Sequence, residues 1–335
     1  MTSFSMSFVR LLRILSPVWS CHGSFLSAYD LVLNTTFDLS FLRRFPVVFE
    51  NSHERIAGFA TLIFSREYDS FIVDSEYQDQ PNDQTHISSF TVETFNGYLV
   101  IPTDFSLIRA DETYLPTADI GVGPRSNLLQ IVGSFIITPT SNITGQLIIN
   151  PRNPSIHAFG GQIFYATTRN ESTWTVPIAV RAIPADNPYR ANDPVDPDQF
   201  HICTVEADRG YLWVPEEVYG VFLNAVSQLN IRSSFSQMGQ RIQFMILHDL
   251  TDELIHSLPS IQYLVMDDTG LAVTIQVMSP STYLGPYIGD DSPRTVRIRF
   301  GNMPCDLAPK VLNRVLVHVD GVNRRLGFAE PMTEL

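Results

Sequence analysis

Lysine is almost missing from this chain. Lys310 is the only one in 335 residues, and charged residues make up 17% of the total with a formal net charge of −13. A phosphate backbone is held by a basic stripe, so nucleic acid is excluded as a partner. Cysteine is scarce too: Cys21, Cys203 and Cys305, with no Cys-x-x-Cys pair. That argues against a zinc knuckle. Cys203 and Cys305 can close one long-range disulfide or remain two buried thiols. Past the N-terminus no apolar run reaches membrane-spanning length. The chain also lacks a Gly-x-Ser-x-Gly elbow, a dinucleotide fingerprint and a phosphate loop. His53-Glu54 lacks the second His of a zinc protease motif, and His248 and His256 fit no metal-ligand spacing. No cofactor or metal is expected.

What is present is apolar and β-forming. Hydrophobic residues are 44%, with 22 Phe and 12 Tyr, which is globular composition biased toward strands. Short runs such as Phe59–Phe64, Tyr68–Val73, Ser134–Ile137, Gln146–Ile149 and Val315–Val319 predict strands. Ser89–Phe95 and Tyr98–Ile101 alternate around Asn96-Gly97, which predicts a hairpin. Pro215–Leu229 is the best helix: Pro215 and Glu216-Glu217 suit its start, and Val218, Phe222, Ala225 and Leu229 fall on one face. Residues 183–199, with four prolines and little to bury, read as a linker between two lobes, 23–182 and 200–335. Residues 1–22 resemble a weak secretory signal. Sequons begin at Asn34, Asn142 and Asn170. Secretion, or residence in the secretory lumen, is the expectation.

Five stretches in order resemble the pepsin-like aspartic proteases. They are Ala118–Pro124, Ser134–Ile149, Ser172–Ile178, Leu212–Tyr219 and Val317–Ala329. The resemblance implies an all-β bilobal fold with a few short helices and a peptide-binding cleft between the lobes. It also implies a monomer whose ligand is a peptide or protein. Family chemistry needs two carboxylates that share a proton and hold a water. Counting back from Val214-Pro215 puts the second at Glu206, within Glu206-Ala207-Asp208 where the family has Asp-Thr-Gly. The first is expected at Asp74, within Asp74-Ser75-Glu76. Competing registers use Glu76 or Glu93-Thr94-Phe95, although the last reads better as a shortened flap with Thr94 nearest the flap tyrosine. Glu206 is a methylene too long, Ala207 lacks a bracing hydroxyl, and neither motif keeps its Gly. The expectation is an inactive or impaired aspartic protease homologue, the alternative an active acid endopeptidase using Asp74 and Glu206. The one true Asp-Thr-Gly, Asp268-Thr269-Gly270, lies between two strand-like runs and reads as a turn.

Overall fold

The computed structural model describes residues 31–37, 43–50, 52–53, 55–64, 70–71, 84–94, 97–108, 117–140, 144–188, 191, 193–205, 212–238, 242–284, 294–300 and 305–332. Strands dominate, as the β-branched and aromatic runs demand. In chain order the first are β1 (Leu31–Phe37), β2 (Arg43–Glu50), β3 (Arg55–Ile63), β4 (Ser70–Phe71), β5 (Gln84–Thr94), β6 (Gly97–Ile108) and β7 (Thr117–Gly121). Helix α1 (Asn127–Val132) precedes β8 (Ser134–Pro139), β9 (Thr144–Ile149), β10 (Phe164–Thr167), β11 (Thr175–Ile183), β12 (His201–Val205) and β13 (Leu212–Val214). Then come α2 (Glu216–Gln228), β14 (Ser233–Met238), β15 (Ile242–Leu247), α3 (Asp252–Ser257), β16 (Ser260–Met266), β17 (Ala272–Met278) and α4 (Pro280–Tyr283). The last are β18 (Arg294–Phe300), β19 (Asp306–Leu307), α5 (Pro309–Leu312), β20 (Leu316–Asp320) and β21 (Arg325–Ala329).

These strands form a 12-stranded sheet, a 5-stranded sheet ordered β17-β16-β11-β12-β19, and a 4-stranded sheet ordered β13-β18-β15-β14. The large sheet holds β1 to β10 and then takes back β20 and β21, which run between β8 and β10. The first and last described strands are thereby woven into one sheet. The crossing to the second half lies between β10 and β11. Residues 183–199 connect β11 to β12, which are antiparallel neighbours in the 5-stranded sheet. The predicted hairpin extends well beyond its alternating core, because β5 and β6 pair from Gln84↔Ile108 to Thr94↔Gly97.

The main core joins both halves. Phe45, Phe49, Phe90 and Phe135 pack in the first, and Trp213, Phe222, Tyr263 and Tyr283 in the second. Helix α2 starts after Pro215, carries Glu216 and Glu217 in its first turn, and buries Val218, Tyr219, Phe222 and Val226. Acids near the exposed N–H groups of a first turn favour that start. A smaller cluster of Ile136, Ile148, Ala158, Leu316 and Ala329 lies on one face of the large sheet. Residues 154–161, two short 3-10 turns, lie along the chain's C-terminal residues through an Ala158–Pro331 bridge.

Candidate functional site

Glu206 follows directly on β12. That strand pairs with β11 on one side (Val176↔Cys203) and in parallel with β19 on the other (Val205↔Leu307). Cys203 and Cys305 are joined in a disulfide across the parallel pair, with Cα atoms 4.4 Å apart. Thr204 N donates to Cys305 O at 2.9 Å, and Val205 N to Trp174 O at 2.9 Å. The strand that delivers Glu206 is thus held by covalent and hydrogen bonds up to its last residue.

The first half repeats this construction. Strand β3 runs parallel to β7, and its last residue, Ile63, stands opposite Gly121. Val122 N donates to Ile63 O at 3.0 Å. In each half a strand lies beside a short parallel partner. The residue following that strand is Glu206 in the second half and Phe64 in the first. The next described strands are β13 from Leu212 and β4 from Ser70. Phe64 is a buried core side chain. Asp74 comes three residues beyond the end of β4. Asp74 and Glu206 themselves lie outside the described residues, as do Glu76 and Asn142. The repeat was hard to see in sequence, because Ile63-Phe64-Ser65 and Val205-Glu206-Ala207 share no residue type beyond an aliphatic start.

Trp174 ties the two constructions together. Its indole Nε1 donates to Val122 O at 2.6 Å while its carbonyl accepts from Val205 N, and the ring is fully buried. One hydrogen-bonded path therefore runs from Ile63 through Val122 and Trp174 to Val205. Asp119, on β7 between Thr61 and Ser70, is a buried carboxylate. Strands β5 and β6 form the flap-like hairpin; Thr94 pairs with Gly97 at its end, and Tyr98 and Val100 are exposed on β6.

Asp268-Thr269-Gly270 is the turn between β16 and β17, where Gly270 takes φ +83°. Left-handed backbone is cheap for Gly and strained for most residues. Asp267 Oδ1 accepts from Thr269 N, Thr269 Oγ1 and Leu271 N. Burial would raise the Asp267 carboxyl, but these bonds hold it below its ordinary pKa. Asp268 reaches across to β10 and accepts from Thr167 N at 2.8 Å and Thr167 Oγ1 at 2.9 Å. This Asp-Thr-Gly docks one sheet on another.

No group of three or more His, Cys, Asp or Glu among the described residues could hold a metal ion. His248 Nε2 instead lies 2.9 Å from Ser234 Oγ. No helix among the described residues is long and apolar enough to cross a membrane.

No protein-family model matches the chain, and no curated protein matches it significantly. Solved structures do. Soybean basic 7S globulin aligns over 90% of this chain and 96% of its own, at 10% identity and a TM-score of 0.55. An aspartic proteinase from Irpex lacteus aligns over 91% of this chain and 98% of its own, at 11% identity and a TM-score of 0.54. At such identities the likeness is one of fold, over nearly the whole of both chains. The architecture is the all-β, bilobal pepsin-like one with a few short helices.

Proposed function

We propose that this chain is a non-catalytic pepsin-fold protein that binds a peptide or protein segment between its lobes. The observation that supports this reading is that β3 and β12 each take a short parallel partner, and that the residue following the one is Phe64 while the residue following the other is Glu206. The acid-protease mechanism needs two close carboxylates sharing one proton, so that one activates water while the other protonates the carbonyl. A phenyl ring can do neither. Asp74 lies ten residues further along the chain, beyond β4, and is a poor substitute in this register. Ala207 and Asp208 add to the case, since they replace the hydroxyl and the glycine that the resemblance expects around the second acid. Geometry precedes pKa in acid–base work, and a misplacement of roughly 1 Å can cost about 100-fold. The fold likeness supports retention of a cleft, and the disrupted acid positions support loss of hydrolysis.

The test pairs cleavage with binding. A denatured protein substrate at about pH 3 to 5, the range for a shared-proton dyad, should stay intact beyond the background of Glu206→Gln. A transition-state peptide analogue should bind, by calorimetry, without being cleaved. Turnover lost in both Asp74→Ala and Glu206→Gln would overturn the reading in favour of an acid endopeptidase using that pair. Absence of binding to the analogue and to a peptide library would remove the ligand-binding half.

A further inference from the structure

Asn170 opens Asn170-Glu171-Ser172, in the connection that carries the chain from β10 to β11. All three residues are exposed. The loop is closed on itself: Asn170 Oδ1 accepts from Ser172 N at 2.8 Å and from Thr173 N at 3.3 Å. Beneath it, Thr168 Oγ1 donates to Thr173 O at 3.1 Å and accepts from Thr175 N at 2.9 Å. An ion pair between Arg125 and Glu171 ties the loop to the turn after β7. The carboxamide oxygen is therefore engaged with the backbone of Ser172. Nδ2 makes no hydrogen bond to a protein acceptor among the described residues.

Asn34 is placed differently. It lies inside β1, opposite Gln146 in an unbroken run of pairs from Leu31↔Ile149 to Thr36↔Thr144. A sequon is useful only where an enzyme can take the backbone into its own site, which favours a loop over a paired strand. A second observation points to the same compartment. The Cys203–Cys305 disulfide belongs in an oxidising lumen or outside the cell, since cytosolic thiols are kept reduced.

We propose that Asn170 is N-glycosylated in the secretory pathway. The donor class is an oligosaccharide linked to a polyprenyl diphosphate. Asn170 Nδ2 attacks the anomeric carbon, and the new C–N bond replaces the C–O bond to the diphosphate. The amide gives up one proton, and the lipid diphosphate leaves. No oxidant or reductant is involved. Ser172 acts through its hydroxyl at the +2 position, which the sequon requires. This modification stands apart from the question of peptide cleavage.

The experiment translates the full chain in the presence of rough microsomes. Peptide-N-glycosidase digestion in ¹⁸O-water is followed by peptide mass mapping, which marks each formerly glycosylated Asn as labelled Asp. Label at Asn170 is expected. It should vanish in Asn170→Gln and in Ser172→Ala, and persist in Ser172→Thr and Asn34→Gln. Ser172→Thr also guards against loss through misfolding, because it keeps the sequon and nearly the same side chain. A chain without label at Asn170 overturns the proposal, whether it failed to enter the microsomes or entered unmodified. So does label at Asn170 that survives Ser172→Ala.

Discussion

Acidification should destabilise this protein through one buried histidine. His318, on β20, is 3% exposed, and its Nδ1 lies 2.9 Å from the Tyr165 hydroxyl. Its Nε2 is buried with no hydrogen-bond partner among the described residues. Three charged or titratable groups face it: Tyr165 on β10, Asp320 on its own strand and Arg325 on β21. Arg325 sits over the Tyr165 ring and donates to Asp320 Oδ2 at 2.8 Å. A protonated ring would carry an N–H with no acceptor. Burial therefore lowers the His318 pKa from 6.5 to about 4, with Arg325 adding to the effect and Asp320 opposing it. The folded state holds the neutral ring more tightly than the unfolded chain does. Its stability is intact above pH 6.5 and falls as the pH drops toward 4, because the unfolded state takes up the proton first. At ~1.4 kcal/mol per pKa unit the full loss is roughly 3 kcal/mol, most of it reached by about pH 4.5. Asp320 acts in a lower window. Burial would raise its carboxyl, but bonds from Asn323 and Arg325 outweigh that and hold it below 3.8, so its contribution is lost only in stronger acid. Urea denaturation of the wild type and His318→Asn at pH 7 and 4.5 tests this. The Asn amide can keep the bond to Tyr165 but cannot titrate. The variant should be less stable at pH 7 and lose roughly 2 to 3 kcal/mol less than the wild type on acidification. Equal losses in the two proteins would refute the reasoning. A chain weakened toward pH 4 is also ill suited to acid proteolysis, in line with a binding role.

Three further outcomes follow from packing and covalent structure. Paired Cys203→Ala and Cys305→Ala should cost up to about 5 kcal/mol in non-reducing denaturation, because the bond closes a loop between residues 102 apart in sequence. Gly327→Ala should destabilise by about 1 to 3 kcal/mol, since a Cβ there would meet Ile163 Cγ2 at 2.5 Å and Tyr165 Cε1 at 2.7 Å; trimming Ile163 to Ala in the same chain should recover part of the loss in a thermal melt. Asp268→Asn should cost on the order of 1 kcal/mol by weakening two charged hydrogen bonds to Thr167. It should leave any residual hydrolysis untouched, which separates a docking turn from a catalytic motif.

Much of the fold was legible locally. Alternation and β-branched runs marked β3, β5, β6, β8, β9 and β20, and Pro215-Glu216-Glu217 marked the start of α2 within a residue. Asp268-Thr269-Gly270 read as a turn because strands flank it, and Gly270 does supply the positive φ. Of the run Tyr68–Val73 the described residues 70 and 71 form β4, and of the strand-like run Gly161–Tyr165 only the last two residues enter β10. Edges of short strands are decided by which partner is in reach, which no single segment states. Asp74 and Glu206 were read from local motif and spacing, and both lie outside the described residues.

By itself the sequence determined the β-rich class, the single good helix, the turn at Gly270 and the lack of a basic surface. Each of these depends on side-chain preference over a few neighbouring residues. Only the tertiary structure decided that β20 and β21 return to the first sheet, that Cys203 meets Cys305, and that β3 and β12 each take a parallel partner. Those are pairings between residues far apart in the chain, fixed by ladder hydrogen bonds and a shared core rather than by local pattern.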